Sequence, residues 1–168
     1  EFRRVLFRSP TDNLGRAGAS TGGHVARMKT QVSSTMEFLR LAEEAVADVN
    51  VAFEAARAAV HQRLAVSGRN WSEAMEREQH TTHSLAWMKI YALASEELLK
   101  SALSAVERGE YHETFDDITR IGLGECVNQF FHGIAMSQSE TARISELLPN
   151  STTYRTREIE TIVSDGNT

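Results

Sequence analysis

Apolar residues recur every three or four positions along most of this chain. Leu39, Ala42, Val46, Val49, Phe53, Ala56, Val60 and Leu64 form the first such series. A helix of 3.6 residues per turn stacks these positions on one face. The pattern predicts a helix from Ser33 or Ser34 to about Val66. Either serine can cap the first free amides, and Glu37 stands where a capping box would place an acid. Gly68 offers a left-handed stop.

The next series is longer and broader. Leu85, Met88, Ala92, Ser95, Leu99, Ala102 and Val106 make a stripe that Trp87, Ile90, Tyr91, Leu93 and Leu98 widen. It predicts a second helix from Ser72 to about Arg108, packed on more than one neighbour and stopped at Gly109. Tyr111, Phe115, Ile118, Gly122, Cys126 and Phe130 predict a third, over about Glu113 to Phe131. Gly122 and Gly124 each cost about 1 kcal/mol inside a helix relative to alanine, which close helix approach can offset. His132–Gly133 interrupts it. Ser137 and Glu140 have capping-box spacing, so a fourth helix is expected from Ser137, with Ile144, Leu147 and Leu148 apolar and Pro149 as the stop. The fold expected is all-α, an antiparallel bundle of three to four helices with flexible termini. Residues 33–149 form the helical domain, 10–32 a flexible lead-in, and 150–168 a tail or truncated linker.

The first nine residues change the picture of the terminus. EFRRVLFRS is the translation of a common sequencing-adapter oligonucleotide, so Glu1–Ser9 is read as an artefact and set aside. The alternative is a natural basic arm, with Arg3, Arg4 and Arg8 facing a partner. The 168 residues, 41% hydrophobic and with a net charge of −5, suffice for one packed domain. Basic residues are not gathered with aromatics, so no nucleic-acid partner is expected. No stretch approaches the eighteen or so apolar residues of a membrane span. The lone Cys126 excludes an intrachain disulfide and fits a reducing, cytoplasmic setting, with the thiol as a small buried hydrophobe.

Candidate chemistry is sparse. Glu76, His80 and His83 fall at helical spacing and could share a face as a polar or metal cluster, joined by Glu125 or Glu140. The repeated E-x-x-H pairs of carboxylate-bridged bundles are missing, so a polar network is the expected role. Asp116, Asp117 and Glu125 show no spacing that defines a shared pocket. Ser137 is expected to cap rather than attack, and His132 to end a helix. No catalytic, cofactor-binding or metal-ligating residue is assigned.

Three ordered segments carry a family resemblance. They are His83–Ser84–Leu85–Ala86–Trp87, Gly122–Leu123–Gly124–Glu125 and Gly133–Ile134–Ala135–Met136–Ser137–Gln138–Ser139–Glu140. They resemble HGLAW, G-L/F-GEY and GGIPMSQ-E of methylsuccinyl-CoA dehydrogenase-like acyl-CoA dehydrogenases that carry an N-terminal helical extension. Ser84 replaces a glycine, Cys126 an aromatic, His132 a glycine and Ala135 a proline. In that family a carboxylate removes the α-proton of an acyl-CoA thioester and FAD accepts hydride from the β-carbon. The resemblance implies that flavin and acyl-CoA are held by a catalytic body outside this segment. The chain is then expected to be a non-catalytic accessory region, with no cofactor of its own and FAD in the full-length protein. Its partner would be that missing body, met through His83, Trp87, Phe130, Phe131 and Met136. The alternative is a stand-alone helical binding module or homo-oligomerisation module.

Overall fold

Long runs of good helix formers with a single apolar face leave this chain one economical solution, a set of helices that bury those faces against each other. The computed structural model of the chain describes residues 21–66 and 70–166. Glu1–Ser9, the start of the lead-in and the Gly68 stop lie outside the described residues. The chain divides into two units, 1–34 and 35–168; in the first, the described part is helix from Thr21.

The elements are α1 (Thr21–Val66), α2 (Trp71–Arg77), α3 (Gln79–Arg108), α4 (Glu113–His132), a hairpin of β1 (Ile134–Ala135) and β2 (Thr141–Ala142), α5 (Ile144–Leu147), a 3-10 turn (Ser151–Tyr154) and α6 (Arg157–Gly166). The all-α expectation is met, since the sheet is a two-strand hairpin pairing Ile134 with Ala142 and Ala135 with Thr141.

Contacts between helices fix their directions within residues 35–166. The Lys89 ammonium sits 4.9 Å from the Phe53 ring centroid, and Arg63 reaches Thr81 at 3.5 Å, so α1 and α3 run antiparallel. Tyr91 donates to Gln129 at 2.6 Å while Gly122 abuts Leu98, so α4 turns back along α3. Thr156 donates to Asp48 at 2.8 Å, and Arg120 joins Asp165 at 3.2 Å while lying 4.1 Å from the Phe38 centroid. Hence α6 returns antiparallel to α1 and α4. The bundle is four-membered, built of α1, α3, α4 and α6. Phe130, Leu39, Met88, Leu123, Ile159 and Ile162 are among its fully buried side chains. Each such aliphatic residue contributes roughly 1.5–3 kcal/mol by leaving water.

Several expectations are corrected. The first helix begins at Thr21, not at Ser33 or Ser34, because no proline or glycine lies between Gly23 and Gly68 and Ala26–Gln31 favour helix. The expected second helix is two. Asn70, not Ser72, caps α2, its side chain accepting from the Glu73 amide at 2.9 Å. Glu78 then leaves helical geometry at ψ 30°, and its carboxylate accepts from Thr81 at 2.8 Å. The stop at Gly109 holds, with φ 70°. Glycine is favoured there because a side chain in that left-handed geometry is strained.

The fourth helix is not where the Ser137–Glu140 pattern placed it. Ser137 to Glu140 form the tip of the hairpin, with the Met136 and Ser137 amides both donating to the Glu140 carbonyl, at 2.9 and 3.3 Å. Only Ile144–Leu147 is helical, ending before Leu148, whose extended backbone suits a residue preceding proline. Residues 150–168, read as a tail or linker, supply the fourth bundle helix instead. Ile159 and Ile162 are buried there, and the Thr156 hydroxyl accepts from the Ile159 amide at 3.4 Å as a helix cap.

Gly124 shows why α6 can lie so close. A Cβ built on Gly124 would stand 2.7 Å from the Gly166 Cα and 3.1 Å from the Ile162 carbonyl oxygen. The expected close approach is real and its partner is α6. Gly122 meets only the tip of the Leu98 side chain.

Candidate docking site

Two of the three segments that carry the resemblance meet at one corner of the bundle. The first turns of α3 bring Ser84 inward, and its hydroxyl lies 4.0 Å from the Met136 sulfur on the hairpin. Beside it, the Trp87 indole donates to His83 Nε2 at 3.0 Å. That bond leaves the His83 ring proton on Nδ1 in the neutral form. The end of α4 contributes His132, whose Nδ1 is 3.0 Å from the Asn128 carbonyl. His83 and His132 are exposed, while Trp87 and Met136 are half-buried. The third segment, Gly122–Glu125, sits farther along α4 and packs on α3 and α6.

Among the five residues expected to face a partner, Phe130 and Phe131 are corrected. They form an edge-to-face pair at 5.1 Å inside the core, 0% and 8% exposed. The helical step from Leu123 and Val127 carries Phe130 inward. His83, Trp87 and Met136 remain at the surface of the corner.

The Glu76–His80–His83 grouping is not assembled. The break at Glu78 separates Glu76 on α2 from the histidines on α3. His80 instead faces Glu146 at 3.5 Å, and His83 accepts from Trp87. Glu125 takes a hydrogen bond from the Gln129 amide, and Glu140 lies at the hairpin tip. Among the described residues, no three His, Cys, Asp or Glu side chains stand close enough to hold a metal ion.

The remaining polar groups tie helices together. Arg120 bridges Asp116 at 2.9 Å and Asp165 at 3.2 Å, largely shielded from solvent. Tyr111 donates to Asp116 at 2.9 Å. Burial pushes the Tyr111 phenol well above its ordinary value, and the bond to Asp116 adds to the rise. Asp117 is exposed. Burial, and then the charge of Glu125, push the Cys126 thiol up against a smaller opposing bond from Ser95. A thiol held protonated is a poor nucleophile. Ser137 bonds the Ser139 amide at 3.4 Å across the hairpin tip.

A cleft of about 300 Å³ opens between α1 and α3, floored by Val46, Leu99 and Leu103. Glu96 and Glu107 flank Lys100 on its rim. With two carboxylates against a single ammonium, this lining offers no cradle of positive groups for a flavin pyrophosphate, and no flavin step is derived from it. Among the described residues, no helix is long and apolar enough to cross a membrane.

Sequence reasoning also passed over one surface. Ile90, Leu93, Ile118 and Ile121 are each between 43% and 59% exposed. The sequence pattern places Ile90, Leu93 and Ile118 on packed stripes, because apolar residues on a broad helix face do not announce which of them point outward.

The chain is 34% identical over 111 residues to the (2S)-methylsuccinyl-CoA dehydrogenase of Cereibacter sphaeroides. The aligned part is 66% of this chain and 20% of that enzyme, so the chain matches about a fifth of its relative's length. No family model matches the chain.

Proposed function

We propose that this chain is an accessory, non-catalytic helical region of an FAD-dependent acyl-CoA dehydrogenase-like oxidoreductase. The observation that carries this reading is the extent of the similarity, two thirds of this chain against one fifth of a dehydrogenase. The corner formed by His83, Trp87 and Met136 is where this region meets the catalytic body, and the body holds FAD and the acyl-CoA. The setting is cytoplasmic.

The rival reading is a free-standing helical binding or oligomerisation module. Its support is the closure of the bundle by α6, which gives residues 35–166 a complete core.

The experiment compares the 168-residue chain with the longer protein encoded by the uninterrupted gene. Both are purified, scanned for flavin absorbance, and assayed with acyl-CoA thioesters and an artificial electron acceptor. The accessory reading expects flavin and turnover in the longer protein, with neither in the chain alone. Flavin retention and acyl-CoA oxidation by the 168-residue chain would overturn it. A native chain that stops at Thr168 and self-associates through Trp87 would establish the rival.

A further inference from the structure

The outer side of the α3–α4 pair is unusual for its mixture of aliphatic and acidic groups. Ile90, Leu93 and Glu97 follow each other at helical spacing on α3, as Ile118, Ile121 and Glu125 do on α4. Both sets point away from the core, because Met88, Ala92, Ser95 and Leu99 fill the inner face of α3, while Thr119, Leu123, Val127 and Phe130 fill that of α4. The Tyr91–Gln129 bond and the Gly122–Leu98 approach set the levels of the two helices. At those levels Ile90 and Leu93 lie toward one end of the face, Ile118 and Ile121 toward the other, and Glu97 and Glu125 between them. Two exposed aliphatic pairs on one face suit an interaction surface.

The acids decide what fits. Among the described residues, the ion pair of Glu97 is with exposed Lys100, at 3.3 Å. Glu125 receives the Gln129 amide and pairs with no lysine or arginine among the described residues. A second copy packed about a two-fold through this face would set acid against acid, which costs affinity. A partner with a base between aliphatic groups buries both kinds of group with their charges matched.

We propose that this outer α3–α4 face docks on the remainder of the same protein, at a patch where aliphatic side chains flank a lysine or arginine that meets Glu125. The proposal rests on the accessory reading above and names the face and the chemistry of the contact. Ile90 stands one turn along α3 from Trp87, so the face adjoins the His83–Trp87–Met136 corner.

Thiol labelling tests it. Ile121→Cys is placed in a Cys126→Ser background, in the 168-residue chain and in the longer protein, and maleimide labelling rates are compared. Val51→Cys, at an exposed site on α1, serves as the control. The expected result is labelling at position 121 at least about tenfold slower in the longer protein, as for a site that must open before it reacts. The control should label equally in both. Adding Glu125→Lys should restore fast labelling, because the charge match is lost. Equal rates at position 121 in the two proteins overturn the proposal. Labelling of the short chain that slows as its concentration rises assigns the face to a second copy and overturns it too. The flavin spectrum of the same longer protein separates the two ideas: a flavoprotein with an unprotected face sinks only the docking proposal, and a protected face without flavin sinks only the dehydrogenase reading.

Discussion

Replacing Gly124 by alanine should expose how tightly α6 is laid on α4. The added Cβ would come 2.7 Å from the Gly166 Cα and 3.1 Å from the Ile162 carbonyl oxygen, both backbone atoms. Backbone cannot rotate out of the way as a side-chain tip can, so α6 must shift. Overpacking of this kind costs about 1–3 kcal/mol. Alanine returns about 1 kcal/mol through helix propensity. Gly122→Ala provides the comparison, because its Cβ would meet only the Leu98 side chain, nearest at Cδ1, 3.1 Å away, and that group can move. Both variants gain the same propensity, so the difference between them isolates the clash. Urea unfolding followed by circular dichroism should place Gly124→Ala below Gly122→Ala by about 1–3 kcal/mol. Gly122→Ala itself should be neutral or up to about 1 kcal/mol more stable than the parent. Equal stability of the two variants would refute the close packing of α6 on Gly124.

Other consequences are simpler to state. Ile162→Ala should lose about 2–5 kcal/mol in the same unfolding assay, whereas a solvated tail would leave stability unchanged. Arg120→Met should cost about 1–3 kcal/mol, since Asp116 and Asp165 lose their cation and Phe38 its cation–π contact; adding Asp165→Asn should then cost much less than the sum of the two single changes. Tyr111 keeps its proton more firmly when folded, so the stability it contributes is complete below its unfolded value of about 10. That contribution falls as pH rises above about 10, and Tyr111→Phe should flatten the alkaline part of a stability-against-pH curve; an unchanged slope would contradict the assignment.

The first two long helices were legible because Val46–Phe53–Val60 and Met88–Ala92–Leu99 repeat at helical spacing, and the core uses that repeat. The third was legible as a helix, but its buried face is Thr119, Leu123, Val127 and Phe130, whereas the expected stripe ran through Ile118, Gly122 and Cys126. The break at Glu78 was not legible. The buried face continues across it through Ala74, Thr81 and Ser84, and only the Asn70 cap and the Glu78–Thr81 bond distinguish two helices from one. Ser137 and Glu140 have the spacing of a capping box, yet pairing of Ile134 with Ala142 turns the same residues into a hairpin tip. The helix at α6 left a signal that could have been read: Thr156 as a cap, acids at Glu158 and Glu160, and Ile159, Ile162 and Val163 on one side. Its shortness weakened that signal, and burial against α4 supplies what local propensity does not. The corner of His83, Trp87 and Met136 was named from sequence. The exclusion of Phe130 and Phe131 from it required knowing which face of α4 turns inward.

The most direct test of the central claim is long-read sequencing of the source locus through both ends of this reading frame. The account predicts an in-frame acyl-CoA dehydrogenase body beyond Thr168 and no adapter-derived codons at the native start. A native start upstream of Thr11 together with a native stop at Thr168 would contradict it.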